Sequence, residues 1–330
     1  MANVQKQFEE YHDKIRIDFD MSQPLRDKRD IIVKRIKKYL ADKELPSFEK
    51  LDQGSYAYGT GIKPIAKLQY DIDVALRFEI SSTKYSAVTV RGWVHDAVQG
   101  HTEDVDDRGP CTRVTYAEKD YHVDLVSYAW QKSNGTETFQ LAHKTTGWRP
   151  ANPPEILAYV AGIRKPFLNI TDDAATKTDQ FRRAVRSLKR WNDEAIPTES
   201  DDKSTGLAFV LLCAQHLKVT LSADGKPDDL RALLNVASAA AQTVGRIVLK
   251  KPTPEYDDVM AKLSNKAMDE LKSRFAELAK VLEKAGKEPD PVVACKLLRK
   301  VFGEDFPVPV AEETAKKTAA PAIITSSSSA

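Results

Sequence analysis

The hydrophobic pattern along the chain is clearest between residues 71 and 80, where apolar and polar positions alternate. The apolar positions are Ile72, Val74, Leu76, Phe78 and Ile80. An alternation of this kind is typical of a β-strand with one buried face. Asp71 and Asp73 then share the polar face of the strand. Two carboxylates at that separation repel each other unless a cation lies between them, and paired hard oxygen ligands suit Mg²⁺.

A second strand with an acidic residue is predicted farther along the chain. Residues 112–116 and 121–128 are rich in β-branched and aromatic residues and flank the polar segment 117–120, which predicts a β-hairpin. Asp124 lies between Val123 and Leu125, so its side chain points away from theirs. The sequence therefore predicts a third carboxylate on the face of a strand.

Gly54 and Ser55 precede the first acidic strand. Glycine permits a ligand to approach the backbone closely, and serine adds a hydroxyl and a backbone N–H for phosphate oxygens. A Gly-Ser pair alone is most often an ordinary turn, and an Asp-Ile-Asp strand alone is also consistent with an exposed polar face. Together with Asp124, these residues indicate a nucleotide-phosphate site beside a metal site.

Hydrophobic positions with helical spacing occur before the first strand and through the second half of the chain. Helices are predicted at 22–43 with Ser22 near its start, 85–98, 178–193, from Ser204 onward, 230–247, and 259–285 with Gly286 as a C-cap. Residues 131–154 contain Asn-Gly and several prolines, which predict a loop-like crossing to a second lobe. The fold class predicted is α+β.

The helix predicted at 178–193 is two-faced. Its apolar positions are Phe181, Val185 and Leu188, and its basic positions are Arg182, Arg186 and Lys189. The cationic face is a candidate border for a triphosphate, although Lys189 alone is better explained as a solvated lysine. Ser204 alone is predicted to be the N-cap of the next helix, a role compatible with a phosphate contact.

Composition narrows the classes of protein. Lys and Arg number 50 against 48 Asp and Glu, a net charge of +2, which argues against a dedicated nucleic-acid binder. The three cysteines are far apart and are expected to be reduced core residues. The N-terminal segment does not have the pattern of a signal peptide, and no apolar run approaches membrane-spanning length. A cytoplasmic protein without a membrane partner or a nucleic-acid activator is therefore expected.

The Gly-Ser turn, the Asp-hydrophobic-Asp strand and the single later Asp resemble the motifs of polymerase-β-type nucleotidyltransferases. Within that superfamily the chain most resembles the bacterial cyclic-oligonucleotide synthases of antiphage signalling, the CD-NTases, which are relatives of the animal cyclic GMP-AMP synthase. By this resemblance Asp71, Asp73 and Asp124 are catalytic and hold two Mg²⁺ or Mn²⁺ ions. Gly54 and Ser55 form the phosphate turn.

The resemblance also assigns Lys189 and Ser204 to the donor triphosphate. Relatives often carry an aromatic residue directly after that serine to stack on a base, whereas this chain has Thr205. The implied organisation is a polymerase-β-like catalytic lobe with a mixed sheet and a long N-terminal helix at 1–150, a helical nucleotide-binding lobe at 151–307, and a flexible tail at 308–330.

The function implied is template-independent synthesis of a cyclic di- or oligonucleotide from ATP and GTP, with a downstream effector that responds to the product. Linear oligonucleotide synthesis or RNA-end extension is the first alternative, and a non-catalytic RNA-binding or scaffolding module is the second. In many systems of the family a ubiquitin-transfer-like enzyme acts on the C-terminus, here Ala330. A disordered tail without a task explains residues 308–330 equally well.

Overall fold

The computed structural model describes residues 3–17, 23–65, 69–116, 121–171, 178–198 and 200–310. Within these ranges the strands are β1 (Phe48–Asp52), β2 (Tyr70–Glu79), β3 (Asp104–Asp107), β4 (Thr112–Tyr116), β5 (Tyr121–Ser133), β6 (Thr136–His143) and β7 (Gly147–Ala151). The helices are α1 (Gln5–Ile15), α2 (Gln23–Asp42), α3 (Gly54–Tyr58), α4 (Ala87–Val98), α5 (Pro153–Thr171), α6 (Gln180–Ala195), α7 (Gly206–His216), α8 (Asp229–Ala241), α9 (Asn265–Lys287) and α10 (Pro291–Phe302). The predicted α+β class is confirmed.

The described strands form one mixed sheet in the order β1-β2-β5-β4-β3, and β6 and β7 extend it from the second half of β5. The central pair, β2 and β5, is parallel, and the other pairs are antiparallel. The alternating segment forms β2 and the predicted hairpin forms β4 and β5, as expected. In the parallel pair Asp73 lies directly opposite Asp124.

Helices α2 and α4 cover one face of the sheet. Their apolar positions, among them Ile36 and Val94, pack against the buried positions of β2, such as Val74 and Phe78. Burial of these side chains drives the sheet and the two helices together. The opposite face of β2, which carries Asp73, faces the helical part of the chain.

The prediction that residues 131–154 are loop-like is wrong, because the chain there continues as β5, β6 and β7. Asn134 and Gly135 both have positive φ, 51° and 80°, and Ser133 pairs with Thr136 across them. This is the geometry of a two-residue hairpin turn, for which Asn-Gly is the strongest short sequence signal. The Asn-Gly pair therefore reverses a strand and does not end the sheet.

Helices α1 and α5–α10 share a second hydrophobic core. Helix α1, which the sequence analysis did not predict, belongs to this core although it precedes the sheet in the chain. Its Phe8 and Tyr11 rings contact Phe302 and Phe306, with ring centroids 5.1 to 6.0 Å apart. The chain therefore starts and finishes its described part in the same core.

Several predicted helix ends differ from those observed. Helix α8 ends at Ala241 and α9 begins at Asn265, with Ser264 as its N-cap. Gly286 does not cap α9 but lies inside it, where an added Cβ would be 3.2 Å from Leu230 Cδ2. This glycine allows close packing of α9 on α8. Ser22 and the tail from residue 311 lie outside the described residues.

The three cysteines are buried and form no disulfide bond, as expected for reduced core residues. In the part of the chain that the structure describes, no helix combines the length and the apolar character needed to cross a membrane.

Asp229, at the start of α8, joins three helices in the second core. Its carboxylate accepts hydrogen bonds from Arg183 Nε at 2.6 Å and Nη2 at 3.1 Å, both on α6. It also accepts from Gln180 of α6 and Gln5 of α1, each at 3.1 Å. The Arg183 and Asp229 side chains are 1% and 4% exposed, so this ion pair is almost completely removed from solvent.

We predict that Asp229→Asn lowers the free energy of unfolding by about 3–5 kcal/mol, because it removes the buried carboxylate that pairs with the Arg183 charge. Chemical denaturation measures the change. The control is Glu283→Gln, which removes the partner of Lys287 from an exposed pair and is expected to change stability by less than about 1 kcal/mol. Equal effects of the two substitutions would contradict the assignment of Asp229 as a buried anchor.

Candidate active site

A cleft of about 510 Å³ lies between the sheet and the helical part of the chain. Five of the seven predicted site residues line it, namely Gly54, Ser55, Asp73, Lys189 and Ser204. They come from α3, β2, α6 and the segment before α7, which are far apart in sequence. Asp71 lies two residues before Asp73 in β2, and its side chain is outside the description. The catalytic and binding roles of these residues remain predictions.

The backbone of Gly54 lies close to the carboxylate of Asp73. Gly54 has φ of 66°, and a Cβ built on it would lie 1.9 Å from Asp73 Oδ2. Any side chain at position 54 would collide with the carboxylate, and a non-glycine residue would also be strained in this backbone conformation. The glycine therefore permits the acidic strand and the Gly-Ser turn to meet at the cleft.

Asp124 is held by Arg113, a residue that the sequence analysis missed. Arg113 Nε and Nη2 donate to the two carboxylate oxygens of Asp124, each at 2.7 Å, and Asp124 is 7% exposed. Burial raises the pKa of the neighbouring Cys111 thiol, and the Asp124 charge raises it further. The predicted turn at 117–120 sets a hairpin register in which position 113 lies opposite position 124, as it does in the structure. The sequence therefore contained the information needed to predict that these two residues are neighbours.

The donor chemistry of this region fits a hard divalent cation. Asp73 and Asp124 lie opposite each other on neighbouring strands, and the absence of a side chain at Gly54 lets the Asp73 carboxylate lie against the backbone there. Carboxylate oxygens are the ligands that Mg²⁺ prefers. Among the described side chains, no group of three or more His, Cys, Asp or Glu is arranged to hold a metal ion. Asp71, outside that set, would supply a further carboxylate.

A row of basic side chains on α6 binds backbone carbonyls in the segment 58–63, which follows the Gly-Ser turn. The pairs are Arg182 with Tyr58 at 3.0 Å, Arg186 with Gly59 at 2.7 Å and Gly61 at 3.2 Å, Lys189 with Thr60 at 2.9 Å, and Arg190 with Lys63 at 2.9 Å. The row satisfies carbonyls that lie outside regular helix and sheet ladders. It also fixes the Gly-Ser turn relative to α6.

The row places only part of the predicted cationic face at the cleft. Lys189 lines the cleft, whereas Arg182 and Arg186 line an adjoining pocket of about 870 Å³ behind α3, which shares Ser55, Tyr70 and Pro153 with the cleft lining. The structure does not bring these two arginines into the cleft lining, and a role for them at a triphosphate stays a prediction. Burial and the charge of Arg186 hold the pKa of His12 far below its ordinary value, so His12 is neutral and accepts a hydrogen bond from Arg186.

Lys189 and the start of α7 are in contact. A Cβ built on Gly206 would lie 3.2 Å from Lys189 Cε and 3.4 Å from Nζ. The N-cap of α7 is Thr205, whose side chain accepts from Ala208 N, and not Ser204 as predicted. The cap thus falls one residue later, and Ser204, 8% exposed, faces the cleft beside Lys189 without serving as the cap.

Aromatic side chains in the described cleft lining are tyrosines with little exposed surface. Tyr58, Tyr70 and Tyr128 are 8%, 7% and 7% exposed. Burial, with a further contribution from the Asp73 charge, raises the pKa of Tyr58 and Tyr128, so both phenols remain neutral. Tyr128 donates to Gln53 Oε1 at 3.0 Å. Position 205, where relatives often have an aromatic residue, serves as a helix cap instead.

Comparisons with known proteins agree with this architecture. Residues 48–128 match the family described as "Cyclic GMP-AMP synthase DncV-like, nucleotidyltransferase domain". The match spans β1 to the middle of β5 and includes Gly54, Asp73 and Asp124. It supports the resemblance seen in the sequence and identifies the sheet lobe as a nucleotidyltransferase domain.

Solved structures share the fold along nearly the whole chain. Vibrio cholerae DncV cyclic AMP-GMP synthase, a prokaryotic cGAS homologue, has 14% sequence identity and a TM-score of 0.72, over 91% of this chain and 97% of that one. The same enzyme in complex with the linear intermediate 5′ pppA(3′,5′)pG has 13% sequence identity and a TM-score of 0.72, over 91% of this chain and 96% of that one. Escherichia coli DncV bound to 3′-deoxy GTP has 12% sequence identity and a TM-score of 0.71, over 91% of this chain and 97% of that one. At these identities the likeness establishes the fold.

We predict that Gly54→Ala lowers the rate of nucleotidyl transfer by about 100-fold or more, because the new methyl group displaces Asp73. The rate is measured from ATP and GTP with Mg²⁺. Gly100→Ala is the matched control, since Gly100 has φ of 70° and open space around its Cβ position. Both variants carry the same backbone strain, so an equal loss of activity in both would contradict the role of the Gly54–Asp73 contact.

Proposed function

We propose that this chain, whose residues 48–128 belong to the DncV-like nucleotidyltransferase domain family, makes a cyclic di- or oligonucleotide from nucleoside triphosphates. The reaction is template-independent and depends on Mg²⁺. The observation that carries the proposal is the meeting of Gly54, Asp73 and Lys189 at one cleft. An acidic strand faces a basic helix across this cleft, which suits a metal-bound triphosphate.

Asp71, Asp73 and Asp124 would hold two Mg²⁺ ions. When bound, the ions lower the pKa of the attacking ribose hydroxyl and neutralise charge on the triphosphate. Ser55 and Ser204 offer hydroxyl groups to the phosphates from opposite sides of the cleft. Lys189 brings an ammonium group whose stem packs on Gly206 and whose Nζ is fixed on the Thr60 carbonyl. These contacts orient the donor for in-line attack.

Cyclisation requires a second transfer in the same cleft. The linear product of the first transfer has to turn, so that its own ribose hydroxyl attacks its own α-phosphate. The structural likeness to an enzyme that was crystallised with a linear intermediate supports this sequence of events. The alternative, release of a linear product, uses the same carboxylates and differs only in what happens after the first bond forms.

The proposed setting is antiphage signalling in the bacterial cytoplasm, where the product binds an effector. This part of the proposal is supported by the resemblance in sequence motifs alone. It extends to conjugation of Ala330 by a ubiquitin-transfer-like enzyme, although Ala330 lies outside the described residues. The protein can be co-expressed with such an enzyme and its mass measured by mass spectrometry. A mass without any adduct at Ala330 would contradict conjugation.

The direct test is incubation of the purified protein with ATP, GTP, CTP, UTP and Mg²⁺ without a template, followed by phosphatase treatment and mass spectrometry. Small phosphatase-resistant products are the expected result. A ladder of phosphatase-sensitive products would favour linear synthesis. A correctly folded protein that consumes no nucleotide under these conditions would favour the non-catalytic module.

We predict that Asp73→Asn lowers product formation by about 100-fold or more, because it removes a charged metal ligand at the cleft. The thermal unfolding midpoint should stay the same or rise, since repulsion among the carboxylates is relieved. Asp106→Asn, on β3 and half exposed, is the control for the loss of an acidic residue from the sheet. Normal product at a normal rate from Asp73→Asn would show that the metal assignment is wrong.

We predict that Lys189→Ala raises the KM for nucleotide by about tenfold, with a smaller effect on kcat, because it removes one charge-assisted contact to the phosphates. Ser204→Ala should act in the same direction but more weakly. Lys266→Ala, on an exposed part of α9, is the control. Steady-state kinetics give the values, and unchanged KM in both site variants would mean that the phosphates bind elsewhere.

A further inference from the structure

The ion pair between Arg113 and Asp124 joins β4 to β5 beside the predicted metal site. Its two hydrogen bonds form a parallel fork that uses both oxygens of the carboxylate, each at 2.7 Å. The side chains are 15% and 9% exposed, so solvent screens the interaction only weakly. A bidentate fork of this kind fixes direction as well as charge.

The fork engages the oxygens of Asp124 on the strand next to Asp73. Among the described residues, Asp73 lines the cleft, whereas Asp124 and Arg113 do not. Asp73 and Asp124 nevertheless lie opposite each other on adjacent parallel strands. The backbone therefore places two carboxylates for a shared cation, while the Arg113 guanidinium already neutralises one of them.

A divalent cation at these carboxylates would meet the positive charge of Arg113. If Arg113 stays in place, it repels the ion at short range. If Arg113 moves away, Asp124 loses two charge-assisted hydrogen bonds. Either way, Arg113 lowers the affinity of the two carboxylates for a metal ion alone. A triphosphate carries several negative charges into the same cleft, and these compensate both the metal and the guanidinium.

We propose that Arg113 is a positioning residue that makes metal binding at Asp73 and Asp124 depend on the arrival of nucleotide. The guanidinium holds the Asp124 carboxylate in place and occupies both of its oxygens. It does so until a triphosphate brings negative charge that compensates both the metal ion and the guanidinium. Asp73 and Asp124 would then bind Mg²⁺ together with the nucleotide and not before it. This inference rests on the metal site of the proposed function, but it concerns the order of binding and not the product.

Equilibrium dialysis against Mn²⁺ at pH 8 tests the proposal without measuring activity. The excess of metal in the protein chamber over the protein-free chamber gives the bound Mn²⁺, and free metal–nucleotide complex is equal on both sides. For the unaltered protein, nonhydrolysable GTP should tighten Mn²⁺ binding by about tenfold or more. Binding of Mn²⁺ that is equally tight without nucleotide would overturn the proposal, and this measurement needs no variant.

Arg113→Gln should bind Mn²⁺ without nucleotide about tenfold more tightly than the unaltered protein, because a competing positive charge is gone. Arg113→Lys keeps the charge but loses the fork, so its affinity should lie between the two. Arg77→Gln is the matched control, since Arg77 is another sheet arginine, paired with Glu49 and lying 4.2 Å from the Trp130 ring centroid. It should bind Mn²⁺ as the unaltered protein does.

Circular dichroism and thermal unfolding establish that each variant is folded before dialysis. An Arg113→Gln protein that is folded and binds Mn²⁺ no more tightly than the unaltered protein would show that Arg113 has only a structural role. If Arg113→Gln does not fold, Arg113→Lys and the nucleotide dependence of the unaltered protein still decide the question. Failure of the proposed function would appear separately, as absence of cyclic product.

Discussion

The arrangement of the cleft depends on the hydrogen bonds between the basic side chains of α6 and the carbonyls of residues 58–63. A backbone segment without a helix or sheet ladder leaves its carbonyl groups in need of donors. Helix α6 supplies those donors as charged groups, which make shorter and stronger hydrogen bonds than neutral ones. Because the segment directly follows Gly54 and Ser55, the phosphate turn of the sheet lobe is attached to the helix that carries Lys189. The same contacts thus fix the distance between the sheet side of the cleft and its helical side.

The burial of so many cations on one helix is possible because each has a specific compensating group. Arg183 has the carboxylate of Asp229, and Arg186 has two carbonyls together with the neutral ring of His12. Asp179, the N-cap of α6, in turn accepts from Arg164 of α5. A buried charge without such a partner would be strongly destabilising. The chemistry at the cleft therefore relies on an ionic framework that extends well beyond it.

The parts of the fold that could be predicted from the sequence are those with a local pattern. Strict alternation identified β2, and the polar segment between two β-rich runs identified the β4–β5 hairpin. The Asn134-Gly135 turn has an equally local signal, but the prolines nearby predict a loop, so the local pattern of this segment indicates two different structures. Helix α1 has apolar residues at Phe8, Tyr11 and Ile15, and its N-cap residue is Val4; polar residues between these positions obscured the helical spacing.

The remaining features depend on contacts between distant residues. No pattern within α6 indicates that its arginines meet carbonyls more than 120 residues earlier in the chain. The same limit applies to Gly54, since the sequence showed that a glycine permits close approach but not that the approaching group is Asp73. Arg113 is the intermediate case. The hairpin register places it opposite Asp124, but only the structure shows that its side chain forms the fork.

The packing of α1 has a consequence for the order in which the molecule is completed during synthesis. Its Tyr11 hydroxyl donates to the carbonyl of Phe302, 291 residues away, and its apolar face covers Phe302 and Phe306. Helix α1 leaves the ribosome long before Phe302 and Phe306, which lie nearly 300 residues later in the chain. A contact of such long range forms late, because the intervening chain has to be ordered before the contact is gained. The core around α1 is therefore completed only after translation has passed α10, and until then the apolar side of α1 lacks its native cover.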